Sequence, residues 1–330
     1  MKNKEMTYRF RGPFQTYCHK YVEYKKNIGF QFGDSAFYQL RYMDDFFVKY
    51  DLDSPLLTKE MVEDYVAHRG KESDKTQHMR MSLIRQFALF MNRIGFNFYV
   101  YPKVLIPIDK KFIPYIFTHE EIEKIIRVVD NLNFIPNSKY YHLIYPMLFR
   151  MLYACGLRIN EALSLKMKDI DLENGILTIT GAKKRTSRLV PMSSSLNFYC
   201  RNYVKKMSFT ISYEGFYFPS RDGGKYHNTP VYIQFKKFMK KAGIIAEGEV
   251  GPRVHDIRHT FAVHALEKMV SEGQDIYCSL PILSTYLGHN CIESTEKYLR
   301  LTQEAFNAVI NTVKPLYSNV FPEVISNENK

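Results

Sequence analysis

The segment His255-Asp256-Ile257-Arg258-His259 carries the side chains best suited to chemistry, and Arg158, His289 and Tyr298 extend the set. Guanidinium groups bind phosphate oxygens in pairs, imidazoles transfer protons, and a phenol acts as a nucleophile. Such a set fits a phosphodiester that is attacked by a protein side chain rather than by metal-activated water. The residue types therefore predict covalent chemistry at phosphorus.

Arg158 and Glu161 are three residues apart in a segment with helical spacing, so they share one face of the predicted helix. One interpretation is a surface ion pair that stabilises the fold by about 0.3–0.5 kcal/mol. The other is that Glu161 orients a buried Arg158 towards the phosphate of a ligand, whose oxygens a planar guanidinium binds in pairs. The segment alone leaves both open.

Residues 175–192 predict a β-hairpin with strands at 176–180 and 188–191. Its turn concentrates cations, which are Lys183, Lys184, Arg185 and, at the start of the second strand, Arg188. A solvated hairpin tip explains such a cluster. Alternatively, the turn inserts one lysine into a DNA groove, where the ammonium protonates a leaving alkoxide.

A helix is predicted to begin after Pro252 and to carry His255 and Arg258 on one face, since they are three residues apart. Its apolar residues point to the opposite face. His259 and His264 are also on this helix, and for both we favour a structural hydrogen bond over a catalytic role.

The four-residue spacing of His255 and His259 also matches the helix of zinc hydrolases. Two features disfavour that alternative. Asp256 stands where the general-base glutamate is expected, and Arg258 would bring a fixed positive charge next to the cation. No acidic third ligand follows at a characteristic distance, so we expect no metal site.

A short helix is predicted from Pro281, and Gly288 is expected to end it. That end would hold His289 at a defined place. Asn290 and Glu293 resemble a capping pair, and they predict a further helix that carries Tyr298.

The chain has 330 residues, 45% of them hydrophobic, which is enough for two domains with separate cores. A net charge of +12 and a pI of about 9.2 indicate a polyanionic partner. Five scattered cysteines without a CxxC pair predict neither a disulfide framework nor a zinc ribbon. Since no apolar leader or membrane-length apolar run is found, we expect a cytoplasmic protein without membrane association.

Three stretches organise the chain. Residues 1–101 have helical spacing and predict a compact helical domain, with Thr58 as one N-cap and Gly95 as the end of a helix that begins near Thr76. Residues 102–113 form a linker rich in proline and lysine. Residues 114–330 form the second domain, whose first helix is predicted to begin at Thr118.

Five separated segments resemble those of the tyrosine recombinases, the phage integrase family of site-specific DNA recombinases. They are GLRINEALSL, the lysine-bearing turn before RLVP, HDIRHTFA, LGH and STEKYL, and the resemblance covers roughly residues 112–313. The N-terminal helices resemble, more loosely, the SAM-like core-binding domain of the family. The resemblance implies a mainly α fold with a small antiparallel β-sheet and two domains, one for core binding and one for catalysis.

The resemblance also implies the roles of single residues. The expected catalytic residues are Arg158, Lys183, His255, Arg258, His289 and Tyr298, and Glu161 is the supporting acid. Lys184 is the alternative to Lys183, and DNA contacts are expected from Lys184, Arg185 and Arg188. Tyr298 would attack phosphorus to give a 3′-phosphotyrosine and a free 5′-hydroxyl, without metal, ATP or any other cofactor.

The implied partners are double-stranded recombination sites and three further copies of the chain, which exchange strands through a Holliday junction. Residues 302–316 and 320–322 are candidates for docking on a neighbouring subunit, and accessory DNA-bending or directionality proteins are a further expectation. A long stretch between Arg258 and His289 favours a mobile-element integrase or transposase. The alternatives are a type IB topoisomerase and a catalytically silent DNA-binding protein of the same fold.

Overall fold

This computed structural model describes residues 9–30, 32–103, 114–180, 187–208, 210–245, 251–289, 291–296 and 298. The chain divides into two compact units, residues 1–112 and 113–330. Residues 104–113 of the expected linker, the hairpin turn at 181–186 and the expected docking segments beyond residue 298 lie outside the described residues. No helix in the described ranges is long and apolar enough to cross a membrane.

The first unit is built from four helices, α1 (Gln15–Asn27), α2 (Asp34–Phe46), α3 (Lys59–Val66) and α4 (Asp74–Arg93). The predicted cap at Thr58 is confirmed, because its side chain accepts a hydrogen bond from the Met61 N–H. Helix α4 begins two residues earlier than expected, since Ser73 caps it by accepting from the Thr76 N–H.

The core of the first unit is largely aromatic. The buried ring of Phe14 lies 5.5 Å from that of Phe47, 5.8 Å from that of Phe87 and 5.5 Å from that of Phe98, measured between centroids. These tilted and edge-on arrangements are favoured by the ring quadrupoles, and they add to the stabilisation from burial. The segment before α1 therefore belongs to the core of this unit.

A buried carboxylate fixes that segment to α2. Asp44 is fully buried, and its oxygens accept hydrogen bonds from the backbone N–H groups of Gly12 at 2.7 Å and Phe14 at 2.8 Å. Burial raises the pKa of Asp44, although both hydrogen bonds act in the opposite direction. Asp44 thus satisfies two backbone donors that would otherwise need other partners.

The second unit begins with α5 (His119–Asp130) and α6 (Tyr141–Ala154), and its other described helices are α7 (Ile159–Ser164), α8 (Ser194–Met207), α9 (Asn228–Lys241), α10 (Val254–Ser271), α11 (Ile276–Leu287) and α12 (Glu293–Glu296). The predicted start at Thr118 is confirmed as a capping box with Glu121. Most of the buried apolar side chains form one large core, and a smaller core lies between α10 and α11.

A three-stranded antiparallel sheet lies between α7 and α8 in the sequence. Its strands are β1 (Ile170–Asp171), β2 (Ile176–Thr180) and β3 (Ser187–Pro191), paired in that order. The predicted hairpin is confirmed. In β3, Leu189 is 63% exposed while Val190 is buried, so the alternation of the strand places Arg188 on the same face as Val190. This face is turned towards the protein interior.

Two expectations about the C-terminal helices are wrong. Helix α11 begins at Ile276, not at Pro281, because the Asp275 side chain caps it by accepting from two backbone N–H groups. The proline lies inside the helix, whose apolar face packs on α10. Tyr298 lies in a turn after α12, where its N–H donates to the Thr295 carbonyl, rather than in the helix itself.

Replacing Asp44 tests the role of the buried carboxylate. We expect Asp44→Ala to lower the free energy of unfolding by about 1–3 kcal/mol, because two backbone donors lose their acceptor. The effect is measured by urea denaturation. Asp45→Ala is the matched control, since Asp45 forms an exposed pair with Arg41 and its loss should cost less than about 0.5 kcal/mol. Equal losses in both variants would contradict the assignment.

Candidate active site

Glu161 lies at the centre of a cluster of three arginines from three different elements. Its carboxylate accepts hydrogen bonds from the Arg158 guanidinium at 2.7 Å and from Arg188 at 2.9 and 3.1 Å. Arg258 approaches the same carboxylate at 3.7 Å. The N-terminus of α7, strand β3 and helix α10 therefore meet at one acid.

The arginines change the acidity of Glu161. Burial alone would raise its pKa, but hydrogen bonds from Arg188 and from the Arg158 backbone N–H, together with the nearby positive charges, lower it to about 2. The carboxylate is therefore ionised at neutral pH. Three guanidiniums face this one carboxylate, so within the described part of the cluster two positive charges are left uncompensated, and an anion such as phosphate fits there.

Arg258 is almost completely buried, with 2% of its surface exposed. Its guanidinium donates to the carbonyl of Gly156 at 2.8 Å and to that of Leu287 at 2.7 Å. Burial and the charge of Arg158 lower the pKa of Arg258 to about 10, so it is still charged at neutral pH. Arg258 thus joins the segment before α7 to the end of α11.

The end of α11 needs the glycine that the sequence places there. Gly288 has φ +65°, a left-handed conformation that glycine adopts without strain, and a β-carbon would approach the Arg188 guanidinium to 2.9 Å. Arg188 also donates to the Tyr286 carbonyl at 2.9 Å. Two arginines therefore hold the last turn of α11, and with it the neighbouring His289.

His289 is oriented by a residue that the sequence argument missed. Its Nδ1 lies 2.8 Å from the hydroxyl of Thr295, which is fully buried. If the threonine hydroxyl donates, the imidazole carries its proton on Nε2 and presents a donor for a phosphate oxygen. The motif STEKYL contains this threonine, but its sequence gives no sign of the bond.

Tyr298 is fully buried within the small core of α10 and α11. Its hydroxyl lies 2.9 Å from Nδ1 of His259. Burial raises the pKa of Tyr298 to about 12, while the charges of Arg258 and Arg158 act to lower it. The phenol is therefore protonated at neutral pH, and the arginine cluster acts on it electrostatically.

His255 lies one turn before His259 on α10 and is exposed. The two rings meet edge to face with 4.7 Å between centroids. The structure thus brings six predicted residues into one region, which are Arg158, Glu161, His255, Arg258, His289 and Tyr298. Arg188 joins them, whereas Lys183, Lys184 and Arg185 lie outside the described residues.

The zinc interpretation rested on His255 and His259 sharing a metal. His259 instead directs Nδ1 at a phenol, as a structural hydrogen bond was expected to do. Within the described ranges, no group of three or more His, Cys, Asp or Glu side chains is arranged to hold a metal ion.

Comparison with known proteins gives a consistent set of relatives. Residues 116–305 match the model of the phage integrase family. The chain is 29% identical over 293 residues to a putative integrase/recombinase, y4rB, of Sinorhizobium fredii, which covers 87% of this chain and 92% of the relative. It is 31% identical over 206 residues to the tyrosine recombinase XerA of Pyrococcus horikoshii, a match that spans 62% of this chain and 63% of XerA.

Solved structures share the fold. The Tn1549 transposon integrase in complex with transposon right-end DNA has a TM-score of 0.64 at 16% identity, over 91% of this chain and 98% of that one. The XerH recombinase bound to its palindromic difH substrate has a TM-score of 0.61 at 19% identity, over 84% and 78% of the two chains. The expected fold class, mainly α with a small antiparallel sheet in a two-domain architecture, is confirmed.

The charge of Glu161 can be tested by its effect on stability. Glu161→Gln should lower the free energy of unfolding by about 3 kcal/mol at pH 7, because three arginines lose their anion. The folded-state pKa is depressed to about 2, so this stabilisation is present above pH about 4.5 and is lost as the pH falls towards 2.

Urea denaturation at several pH values measures this difference. The gap between the wild type and Glu161→Gln should narrow from pH 5 to pH 3. Glu123→Gln is the matched control, since Glu123 pairs with Arg127 on the exposed face of α5. A gap that stays constant down to pH 3 would contradict the electrostatic role of Glu161.

Proposed function

Because this chain belongs to the phage integrase family, we propose that it breaks and rejoins DNA strands through a covalent bond between the Tyr298 oxygen and phosphorus. The observation that carries the proposal is the location of this phenol beside an arginine cluster with excess positive charge. Arg258 and Arg158 both act to lower the pKa of Tyr298, so their charges reach the phenol oxygen.

In the proposed reaction, the Tyr298 oxygen forms a bond to phosphorus and the bond from phosphorus to the 5′ oxygen breaks. The phenol proton passes to His255, and the leaving 5′ oxygen takes a proton from Lys183. The products are a 3′-phosphotyrosine and a 5′-hydroxyl. Attack by the 5′-hydroxyl of another strand reverses these steps, and since one phosphodiester replaces another, no ATP is consumed.

The arginines would bind the phosphate in place of a metal ion. Attack at phosphorus concentrates negative charge on the non-bridging oxygens, and fixed donors stabilise that charge without reorganisation. Arg158 is suited to this role because its side chain is 41% exposed, whereas Arg258 supplies charge from within the protein. His289, oriented by Thr295, would donate a further hydrogen bond.

The cations of the hairpin have two proposed roles. Lys183, or its neighbour Lys184, is the proposed acid, and the rest of the turn with Arg185 contacts DNA. Arg188 was expected to contact DNA as well, and that stays a prediction. Its bonds to Glu161 and to the Tyr286 carbonyl support a positioning role for this residue.

The DNA partner is supported by structural relatives that were solved with recombination-site or transposon DNA. We further propose a homotetramer on two duplexes, assisted by accessory DNA-bending or directionality proteins. The relatives include a transposon integrase and a putative integrase/recombinase, which supports a mobile-element enzyme. The reaction would take place in the cytoplasm, where bacterial and archaeal DNA is found.

Tyr298→Phe tests the nucleophile. The protein is incubated in EDTA with a nicked suicide substrate whose short 5′-hydroxyl fragment diffuses away after cleavage, and denaturing electrophoresis measures the covalent adduct. We expect the wild type to form the adduct and Tyr298→Phe to lose it completely, because the attacking oxygen is gone. DNA binding should be unchanged.

Tyr286→Phe is the matched control, since this hydroxyl donates to the Pro191 carbonyl and has no proposed part in the chemistry. It should form the adduct at nearly the wild-type rate. An adduct formed by Tyr298→Phe would disprove the nucleophile, and loss of the wild-type adduct in EDTA would show that a metal is required.

Arg158→Ala tests the phosphate clamp. We expect the single-turnover rate of adduct formation to fall about 10²–10³-fold, because one donor to the transition-state oxygens is lost. Arg253→Ala is the matched control. Arg253 is also partly exposed, pairs with Asp256 just before the proposed site residues of α10, and should retain a rate within about two-fold of wild type. Equal losses in both variants would contradict the clamp.

A further inference from the structure

The proposed nucleophile is held in a place that DNA cannot reach. Tyr298 has no exposed surface, and its ring packs against apolar side chains of α10 and α11. A nucleophilic oxygen must come within about 3–3.5 Å of the atom that it attacks. A phosphate of double-stranded DNA does not enter an apolar core, so the phenol must leave this position before it reacts.

One polar contact of the phenol oxygen comes from His259. This side chain is 5% exposed, and its Nδ1 lies 2.9 Å from the Tyr298 oxygen. His255, one turn earlier, is exposed and meets the edge of the His259 ring. His259 was expected to make a structural hydrogen bond, and its partner is the proposed nucleophile itself.

We propose that His259 is a positioning residue that holds Tyr298 in a protected resting position, and that DNA cleavage requires this hydrogen bond to break. The proposal rests on the assignment of Tyr298 as the nucleophile. His259 sets the balance between the buried and the exposed phenol, so the free protein keeps its reactive group away from solvent and from incorrect phosphates.

The geometry specifies which substitutions keep the bond. Nδ1 of histidine and the side-chain amide atoms of asparagine are both attached to Cγ, so His259→Asn can place a polar atom near the Tyr298 oxygen. The amide of His259→Gln lies one bond further out and does not. His259→Leu removes the bond and keeps an apolar side chain of similar bulk. Asparagine and glutamine therefore form a matched pair.

Exposure of the Tyr298 hydroxyl is measured in the DNA-free protein by acetylation with N-acetylimidazole. Cleavage after glutamates releases residues 297–304, whose single tyrosine is Tyr298, and mass spectrometry gives its rate of modification. We expect the rate to rise about five-fold in His259→Leu and in His259→Gln, the change that follows from losing a hydrogen bond of about 1 kcal/mol. His259→Asn should stay within about two-fold of wild type.

Two buried tyrosines of the large core, Tyr145 and Tyr217, report on the fold in the same samples. They should stay protected in every variant. If His259→Leu exposes them, the comparison of His259→Asn with His259→Gln decides. Faster modification of Tyr298 in the glutamine variant alone supports the proposal, and equal rates in the pair overturn it.

The covalent adduct on a suicide substrate separates this proposal from the proposed function. If the wild type forms no adduct at Tyr298, the proposed function fails, whatever the acetylation rates are. If the adduct forms but Tyr298 is acetylated equally fast in wild type and His259→Leu, the positioning role is wrong. A large fall in the adduct rate of His259→Leu with unchanged acetylation also overturns it, because His259 would then act in the chemical step.

Discussion

The arrangement of the site depends on one carboxylate that holds several guanidiniums together. Arginines repel one another, and without Glu161 the charges of Arg158, Arg188 and Arg258 would have no common anion within the described cluster. Because the acid compensates only one of three charges, it assembles the cluster and leaves it attractive to a further anion. A phosphate would complete the compensation.

The same cluster determines where the chain can bend. Arg258 and Arg188 donate to backbone carbonyls near the end of α11, and Gly288 ends that helix in a left-handed conformation. His289 follows directly and is held by Thr295 in the next short helix. The position of Tyr298, three residues later, is thus connected by a chain of polar contacts to the arginines that act on its charge.

Burial and reactivity act in opposite directions at Tyr298. The core of α10 and α11 raises the pKa of the phenol to about 12, which keeps it protonated and unreactive, while the nearby arginines act to lower the pKa. Moving the phenol out of the core would remove the first effect and keep the second. A single change of position therefore both exposes the nucleophile and makes its ionisation easier.

Local signals in the sequence predicted much of this structure. The capping residues Thr58 and Thr118, the hairpin strands and the glycine at the end of α11 are all determined by neighbouring residues, and they are confirmed. The start of α11 was wrong because a proline suggested a first turn, whereas Asp275 caps the helix earlier. Proline is compatible with both positions, and only the packing against α10 decides between them.

Contacts between distant segments were not predictable. The pair Arg158 and Glu161 is visible at a spacing of three, but Arg188 follows Glu161 by 27 residues, and its inward direction depends on the register of β3. Likewise, nothing near His259 in the sequence indicates that its partner is Tyr298, 39 residues later. Residue types and motifs identified the chemistry, and the fold determined which group contacts which.

The most direct test of the account identifies the atom that carries the DNA. The trapped protein–DNA adduct is digested with nuclease and then cleaved after glutamates, and tandem mass spectrometry locates the remaining nucleotide. The account predicts a nucleotide phosphate on the tyrosine of residues 297–304, which is Tyr298. A nucleotide on any other side chain would contradict it.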